Sequence, residues 1–237
     1  MDIKESALLR DSVADHWYYR SKAKLVGRLL RGVPVRTILD VGAGSGFFSR
    51  HLLRTTRAQQ SWCVDVNYAQ DSDALEDGKA LHFRREVAAT DADLVLLMDV
   101  LEHVDDDVAL LRETATKAAP AAHFLISVPA FQFMWSAHDV FLEHRRRYTL
   151  TGIERVVRDA GLRVVAGSYF FAAVFPAAML LRLPRKLIGA SGEPASDMRS
   201  HSRFTNGLLY ALSCAELPLI PHNRCFGLTA CCVATRA

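Results

Sequence analysis

A glycine-rich turn with an acidic residue before it is the stretch of this sequence best suited to chemistry. Residues 38–46 read Ile-Leu-Asp-Val-Gly-Ala-Gly-Ser-Gly, which is an apolar strand, a hinge and the start of a helix. Three glycines at alternate positions allow the backbone to turn sharply and to approach a ligand closely. Asp40 lies at the carboxyl end of the strand, where open α/β sheets bind their ligands. The turn therefore predicts a nucleotide-like cofactor held by Gly42, Ala43, Gly44, Ser45 and Gly46.

Two acidic residues bear on which cofactor this is. Nicotinamide dinucleotides and S-adenosylmethionine both bind at such turns, so the glycines alone do not decide between them. Asp40 in front of the turn would repel a pyrophosphate, whereas it would attract the ammonium group of an amino-acid cofactor. Asp65 follows Gly46 by 19 residues, at the end of the next predicted strand, and can bind the ribose hydroxyls of either cofactor. The pattern favours S-adenosylmethionine.

Several motifs of the chain resemble those of class I S-adenosylmethionine-dependent methyltransferases. Three of them match the family as a whole, namely Leu39–Gly46, Asp65 and Asp99–Val104. Four more resemble a bacterial subgroup of the family, namely Ser127–Ala130, Trp135-Ser136, His138-Asp139 and His144–Thr149. The resemblance extends over about residues 14–236.

The resemblance implies a role for each cofactor motif. Asp40 and the glycines would hold the methionine part of S-adenosylmethionine. Asp65, followed by Val66, would bind the ribose hydroxyls. The wall that faces the adenine and the methyl group would consist of Asp99, Val100 and Leu101. Pro221–Gly227 lacks the Gly-Thr-Ser pattern of the subgroup, which leaves the substrate class open.

Methyl transfer requires the enzyme mainly to align the acceptor and to exclude water. A base is needed only where the acceptor must lose a proton. His103 and His144 are the candidate bases, because histidine titrates near neutral pH. For His103, packing at the start of the next helix is the alternative. Glu102 either faces the cofactor or precedes the helix N-terminus, and the sequence leaves both open.

The loop 131–148, after the fifth predicted strand, is expected to face the acceptor. Its aromatic residues can form an apolar wall, namely Phe131, Phe133, Trp135 and Phe141. Its polar groups are His138, Asp139, His144 and Arg147. Tyr148 is either a pocket wall or a hydrogen-bonding core residue. Arg145–Arg147 either pair with nearby acids as a solvated face or hold an anionic acceptor through bidentate hydrogen bonds.

Residues 1–34 precede the first strand and predict one or two helices. Their aromatic-basic stretch either closes over the cofactor, with Arg20 on its carboxylate, or forms an amphipathic helix packed on the sheet. That stretch is Trp17, Tyr18, Tyr19 and Arg20. The spacing Tyr18-x-x-x-Lys22 is typical of short-chain dehydrogenases, but it precedes the glycine turn and is interpreted as chance.

Composition limits the classes of protein that fit. A chain of 237 residues, half of them hydrophobic, can bury one core with a small cap. A net charge of +3 with scattered basic residues argues against a nucleic-acid partner. Five cysteines without a Cys-x-x-Cys pair predict buried free thiols, with neither a metal site nor disulfides. The charged N-terminus lacks an apolar signal region, so a cytoplasmic protein is expected.

Strand and helix patterns alternate from residue 35, which predicts a Rossmann-like, doubly wound α/β sheet. Seven strands are predicted, and the last runs antiparallel, as in methyltransferases. They are 36–41, 61–66, 81–84, 94–98, 123–128, 162–170 and 228–235. Thr151 and Glu154 predict a capping box at the start of a helix that Gly161 ends.

The chain is expected to form one methyltransferase domain with four parts. These are an N-terminal helical segment (1–34), a cofactor-binding core (35–170), a helical cap or lid (171–227) and the final strand (228–237). Residues 164–181 carry no charge and reach the lower length of a membrane span. Gly167 and Pro176 interrupt them, so a buried strand followed by an apolar helix is predicted, with interfacial membrane contact as an alternative.

These observations predict transfer of a methyl group from S-adenosylmethionine to a small-molecule acceptor, with oxygen favoured over nitrogen or carbon. Apolar residues of the cap point to an acceptor of partly apolar character. One alternative is a lipid-linked or membrane-resident acceptor, reached through residues 164–181. Others are an NAD-dependent oxidoreductase and a non-catalytic cofactor-binding protein. The oligomeric state is left open.

Overall fold

A mixed sheet of eight strands forms the centre of the protein. The computed structural model describes residues 10–187, 196 and 202–236. The strands are β1 (Thr37–Val41), β2 (Gln60–Val64), β3 (Ser72–Glu76), β4 (Lys79–Arg84), β5 (Leu94–Met98), β6 (His123–Pro129), β7 (Leu162–Phe170) and β8 (Thr229–Arg236). Their order across the sheet is β3-β4-β2-β1-β5-β6-β8-β7.

The strand directions confirm the predicted α/β sheet and its antiparallel last strand. β4, β2, β1, β5 and β6 run parallel to one another, whereas β8 runs antiparallel to both β6 and β7. From β1 the chain continues to β2 on one side, whereas β5 lies on the other side of β1. The direction in which strands are added to the sheet therefore reverses between β1 and β5. A crevice opens at the carboxyl ends of strands at such a reversal, and it is the usual ligand site.

The sheet has eight strands where the sequence predicts seven. β3 pairs antiparallel with β4 at the edge of the sheet, and Glu76 lies opposite Lys79. The two residues between them, Asp77 and Gly78, both have positive φ angles (55° and 75°). An Asp-Gly pair is a strong hairpin signal, because it tolerates this backbone conformation. β3 lacks the apolar alternation of a strand, since it is mostly exposed, and for that reason it was not predicted.

Helices cover both faces of the sheet. They are α1 (Trp17–Leu29), α2 (Phe47–Thr55), α3 (Asp107–Lys117), α4 (Ala137–Phe141), α5 (Leu150–Asp159), α6 (Phe175–Leu187) and α7 (Arg203–Ala215). Short 3-10 turns lie at Arg10–Asp15, Leu101–His103, Gln132–Met134 and Leu217–Leu219. α3 and α5 bury Leu111 and Ile153 in one core, and α1 and α2 bury Val26 and Leu52 in the other. β5 lies between these cores and is buried along its whole length.

Among the described residues between β7 and β8, where the sequence predicts a cap, the α-helices are α6 and α7. α7 packs on α1, and Asn206 accepts a hydrogen bond from the backbone N–H of Trp17 (2.8 Å). Residues 1–9 of the predicted N-terminal segment, 188–195 and 197–201 of the cap, and residue 237 lie outside the described residues. The division of the chain into four parts stays a prediction.

The uncharged stretch 164–181 forms most of β7 and the start of α6, so the predicted strand and helix are both present. Within the described residues, no helix is long and apolar enough to cross a membrane. All five cysteines are free thiols, as predicted. Cys63, Cys231 and Cys232 are buried, whereas Cys225 is exposed, in contrast to the prediction.

The N-terminal cap of α5 differs from the predicted capping box. Thr149 is the cap residue, and its hydroxyl accepts a hydrogen bond from the backbone N–H of Gly152 (3.0 Å). Glu154, the predicted partner of Thr151, is buried and pairs with Arg158 (3.3 Å) and Arg224 (2.8 Å) instead. Thr149 and Thr151 can both cap a helix, so the sequence alone does not distinguish them. In the structure the helix begins directly after Thr149.

We expect Thr149→Ala to lower the free energy of unfolding by about 1 kcal/mol, because it removes this cap bond. Thr151→Ala is the matched control, and it should change stability by much less. Denaturant unfolding of both variants measures the difference. Equal losses for the two variants, or a larger loss for Thr151→Ala, would contradict the cap assignment.

Candidate active site

The glycine turn joins the end of β1 to α2 in a conformation that requires glycine. Gly42, Gly44 and Gly46 have φ angles of +65°, +55° and +72°. A Cβ atom on Gly42 would lie 2.7 Å from Cγ2 of Val100, so space as well as backbone excludes a side chain there. The N–H of Gly42 donates to the carbonyl of Val64 (2.7 Å), which ties the turn to the end of β2.

Asp40 lies beneath this turn and is almost fully buried. The hydroxyl of Ser49, on α2, donates to its carboxylate (2.7 Å), and Ser61 donates in turn to Ser49 (2.8 Å). Burial raises the pKa of Asp40 to about 6, and the bond from Ser49 opposes that rise. Asp40 therefore couples β1 to the first turn of α2, at the base of the glycine turn.

Asp65 follows β2 and reaches the same turn. Its carboxylate accepts hydrogen bonds from the backbone N–H of Gly44 (3.1 Å) and of Asn67 (3.0 Å). The Tyr68 hydroxyl donates to the carbonyl of Gly44 (2.6 Å). Asp65 is thus held in place by backbone groups, and Val66 beside it is 73% exposed. The structure brings the predicted ribose acid and the glycine turn together.

A cavity of about 820 Å³ opens at the carboxyl ends of the strands. One side is lined by Gly42, Asp65 and Val66, and the other by Asp99, Val100 and His103. This volume is typical of a cofactor or small-molecule site. Five of the predicted cofactor residues therefore line one cavity. Asp40 supports the turn from below, and Leu101 is fully buried behind the wall.

A partly buried ion pair that the sequence did not predict lies at the end of β5. Lys22, on α1, is fully buried, and its ammonium group contacts the carboxylate of Asp99. Ser127 bonds both members of the pair, accepting from Lys22 (2.9 Å) and donating to Asp99 (3.0 Å). Burial alone would raise the pKa of Asp99, but Lys22 holds it below its usual value. Asp99 itself has a positive φ of 58°.

The Tyr18-x-x-x-Lys22 spacing, interpreted as chance, has a structural reason. Both side chains lie on the same face of α1, and the Tyr18 hydroxyl also reaches Asp99 (3.3 Å). The Lys22 ammonium lies 4.8 Å from the centre of the Tyr18 ring, which stacks on Phe171 at 5.2 Å. Lys22 lies within an amphipathic helix and is buried there. A lysine in that setting was the sequence signal that could have indicated its contact with Asp99.

The predicted lid residues of α1 pack against the protein. Tyr19 is 1% exposed, and its ring contacts Phe47 at 5.5 Å. The Arg20 guanidinium lies 4.1 Å above the ring of Tyr210, on α7. These contacts correspond to the alternative of a helix packed on the fold. A role for Tyr19 and Arg20 in cofactor binding stays a prediction.

The two predicted bases lie side by side. The rings of His103 and His144 are 4.8 Å apart at their centres and nearly perpendicular. Nδ1 of His144 lies 2.9 Å from a carboxylate oxygen of Asp139, a fully buried residue. Arg147 donates to both oxygens of Asp139 (2.7 and 2.9 Å). Burial by itself would raise the pKa of Asp139, but the bonds from His144 and Arg147 hold it far below its usual value.

Glu102 is the most unusual side chain of this region. It is fully buried, and neither carboxylate oxygen has a hydrogen-bond partner among the described residues. Burial, and next the nearby charge of Asp99, raise the pKa of Glu102 well above its usual value. The sequence left open whether this residue faces the cofactor or precedes a helix. The structure places it in the turn Leu101–His103, beside the two histidines.

The arginine run pairs with acids of its own chain. Arg145 contacts Asp105, Arg146 pairs with Asp107 (3.4 Å) and Arg147 forms the bidentate pair with Asp139. The Tyr148 hydroxyl lies 2.7 Å from Asp107 and 3.0 Å from the carbonyl of Leu101. The structure thus agrees with the predicted pairing of the arginines, but the side chain of Arg147 is buried and is not part of a solvated face. An acceptor role for Asp139, Arg147 and Tyr148 stays a prediction.

Aromatic side chains gather around Phe131, in the loop after β6, in a grouping that differs from the predicted wall. The ring of Phe131 stacks on Tyr169 (4.9 Å) and Phe133 (5.2 Å), and it contacts Phe175 (5.7 Å). Phe226 joins through Phe175 (5.6 Å). We call these five residues the aromatic cluster. In the ring contacts of the described residues, Trp135 and Phe141 lie outside it, and Trp135 and His138 are partly exposed in the same loop.

Comparison with known proteins identifies the family. The profile of the family described as "Methyltransferase domain" matches residues 14–166. The chain belongs to this family. The identification as a class I S-adenosylmethionine-dependent methyltransferase, with that cofactor, is confirmed.

Relatives of the methyltransferase are similar over different spans. Over 210 residues it is 25% identical to the ubiquinone biosynthesis O-methyltransferase of Parvibaculum lavamentivorans, covering 80% of this chain and 75% of that protein. Over 106 residues it is 32% identical to the protein of the same name from Hahella chejuensis. That match covers 40% of this chain and spans 44% of the relative's length.

A solved structure shows the same fold. It is the Burkholderia thailandensis 1,6-didemethyltoxoflavin-N1-methyltransferase, with bound 1,6-didemethyltoxoflavin and S-adenosylhomocysteine. The TM-score is 0.51 at 18% identity, and the match covers 70% of this chain and 79% of that one. The likeness concerns the fold alone.

We expect Lys22→Met to lower the free energy of unfolding by about 2 kcal/mol, because it removes the cation that contacts the partly exposed Asp99 carboxylate and leaves only the bonds from Ser127 and Tyr18. Lys24→Met is the matched control, since Lys24 lies on the same helix but is exposed. Denaturant unfolding of the two variants provides the measurement. A Lys22→Met variant as stable as the Lys24→Met variant would show that the ion pair contributes nothing.

Proposed function

We propose that this methyltransferase transfers the methyl group of S-adenosylmethionine to a hydroxyl oxygen of a small, partly apolar acceptor. When bound, the cofactor supplies a methyl group attached to a positively charged sulfur, which a nucleophile can take. The paired histidines beside the cavity are the observation that carries the choice of oxygen. The names of the relatives, which are O-methyltransferases, support it. A cytoplasmic location belongs to the same proposal, and fractionation of the producing cells tests it.

The residues at the glycine turn suit this cofactor. Asp65 presents a carboxylate that can accept hydrogen bonds from the two ribose hydroxyls. The turn at Gly42 and Gly44 leaves the backbone uncovered, so the amino-acid part can lie against it. Asp40 adds negative charge beneath the turn, which favours a cationic ammonium group above it. Val66 and Val100 offer apolar surface on the two sides of the cavity for the adenine ring.

The second requirement of the reaction is removal of the proton from the acceptor hydroxyl. A hydroxyl is a poor nucleophile until it ionises, so the enzyme must favour loss of the proton. His103 and His144 lie beside each other, and His103 lines the cavity. The Asp139 carboxylate lies 2.9 Å from Nδ1 of His144, so it can fix the ring and leave Nε2 available to the acceptor. We assign ionisation of the acceptor hydroxyl to this pair.

The aromatic cluster supplies the apolar part of the acceptor site in this proposal. Phe131 and Phe133 come from the loop after β6, Phe175 from α6, and Phe226 from the segment before β8. Phe133 and Phe226 are 44% and 43% exposed, so their rings can take up a planar or apolar molecule. A phenol with an apolar substituent combines an ionisable hydroxyl with a ring that stacks there.

We expect Asp65→Asn to weaken S-adenosylhomocysteine binding about 10- to 100-fold, because hydrogen bonds to a charged group contribute about 1.5–3 kcal/mol. Isothermal titration calorimetry measures the affinity. Asp77→Asn is the matched control, because it removes the same charge from the exposed hairpin turn between β3 and β4. Unchanged affinity in Asp65→Asn would remove this residue from the cofactor site.

We expect His144→Gln to lower kcat at least about 100-fold with a phenolic acceptor, because assisted proton removal contributes about 10²–10⁴-fold. The affinity for S-adenosylhomocysteine should stay unchanged. His123→Asn is the control, because His123 begins β6 and so lies at the other end of that strand from the cavity. A panel of phenols and amines with apolar substituents, assayed for S-adenosylhomocysteine release, identifies the acceptor atom. Methylation of amines only would overturn the choice of oxygen.

A further inference from the structure

Three side chains at the cavity form a set that can coordinate a metal ion. Glu102, His103 and His144 each place a ligand atom within 4.8 Å of the other two. Two imidazole nitrogens and one carboxylate oxygen are a donor set suited to divalent first-row transition ions, such as zinc, manganese, cobalt and iron. An octahedral magnesium or calcium site uses oxygen ligands instead.

Glu102 independently points to a ligand. Its carboxylate is fully buried, and both oxygens lack hydrogen-bond partners among the described residues. The neighbouring acids differ in this respect, since Asp99 contacts Lys22 and Asp139 is bonded by Arg147 and His144. A buried polar group without a partner is costly, so such groups in native proteins usually mark a function or an ion. A cation between Glu102 and the histidines would satisfy this carboxylate.

The surroundings of His144 are those of a metal-binding histidine. Such a histidine commonly gives its second ring nitrogen to a carboxylate, which fixes the ring and increases its basicity. Nδ1 of His144 lies 2.9 Å from Asp139, which leaves Nε2 for coordination. Arg147 and the backbone N–H of Ser136 (2.8 Å) hold Asp139 in turn. The support for the ring is therefore already built into the loop after β6.

The distances between the three ligand atoms, and the access to them from the cavity, also suit a metal ion. In a tetrahedral zinc site, ligand atoms lie about 3.3 Å from each other, so atoms that lie within 4.8 Å of one another need to approach by at most about 1.5 Å. Rotation of two imidazole rings and one flexible glutamate can provide this. His103 lines the 820 Å³ cavity, which gives an ion a path to the site and leaves a coordination position facing that cavity.

We propose that Glu102, His103 and His144 bind one divalent transition-metal ion at the edge of the cofactor cavity. The site itself stands on the side-chain geometry. Its role rests on the proposed function: a divalent cation lowers the pKa of a coordinated hydroxyl, so it would assist ionisation of the acceptor oxygen. In this arrangement the two histidines act on the acceptor as ligands of the ion.

Metal binding is tested on the full-length protein, without cofactor or acceptor. After dialysis against a chelator, Co²⁺ is titrated and followed by its visible absorption, and Zn²⁺ is titrated by calorimetry. We expect one equivalent to bind with the absorption of a nitrogen- and oxygen-coordinated ion. Glu102→Gln keeps the shape of the buried side chain, and His103→Asn changes a residue that is only partly buried. Each should weaken binding at least about 10-fold.

His123→Asn is the control, because it removes an imidazole far from the cavity, and it should bind Co²⁺ like the parent protein. Circular dichroism establishes that each variant is folded. Absence of stoichiometric Co²⁺ and Zn²⁺ binding in the parent protein would overturn the site. Equal affinity in the folded His103→Asn or Glu102→Gln variant would overturn it as well.

The outcomes separate this site from the proposed function. If the parent protein binds one Co²⁺ and the variants do not, the site is supported even where only amines are methylated. If phenols are methylated but no metal binds, the proposed function holds and the metal site is overturned. Loss of phenol methylation on chelation, at least about 100-fold, and its return with Zn²⁺ or Mn²⁺ would support the role of the ion.

Discussion

The ion pair between the buried Lys22 and the cavity-lining Asp99 is the contact on which the arrangement of the site depends. It joins α1 to the end of β5, and Ser127 of β6 bonds both partners. A lysine without solvent exposure is stable only with such a partner, so α1 must lie across the strand ends. Through Tyr18 the same pair contacts Phe171, at the beginning of the segment that carries α6 and α7. One interaction thus sets the relation between the N-terminal helix, the cavity wall and the segment beyond β7.

The other acidic side chains at this edge of the sheet are of two kinds, those with bonded oxygens and one without. Asp65 and Asp139 have their oxygens bonded by backbone or cationic groups, which keeps them in fixed positions. Glu102 lacks such groups among the described residues, although it is buried beside both histidines. Fixed acids position a turn or a ring, whereas a buried acid without a partner is available to a ligand. The contrast separates supporting residues from those that we assign to chemistry.

Several features of the fold follow directly from local pattern. Strands such as Leu94–Met98 and Leu162–Phe170 were predicted at their observed bounds, because burial on the faces of a sheet imposes a pattern on the sequence. The β3–β4 hairpin was missed, although Asp77-Gly78 carried a turn signal, because exposed edge strands need no apolar alternation. The helix cap was assigned to Thr151 when Thr149 fills it, since neighbouring threonines offer equal local chemistry.

The sequence by itself determined the α/β class, the glycine turn and the acids at the carboxyl ends of β1, β2 and β5, because spacing along the chain suffices for each. Only the tertiary structure decided which distant groups meet. Lys22 and Asp99 are 77 residues apart, and Asp107 meets the Tyr148 hydroxyl across 41 residues. Such contacts depend on how helices pack across the strand ends, which local periodicity does not encode. For the same reason the sequence left the role of Glu102 open, and packing placed it beside His144.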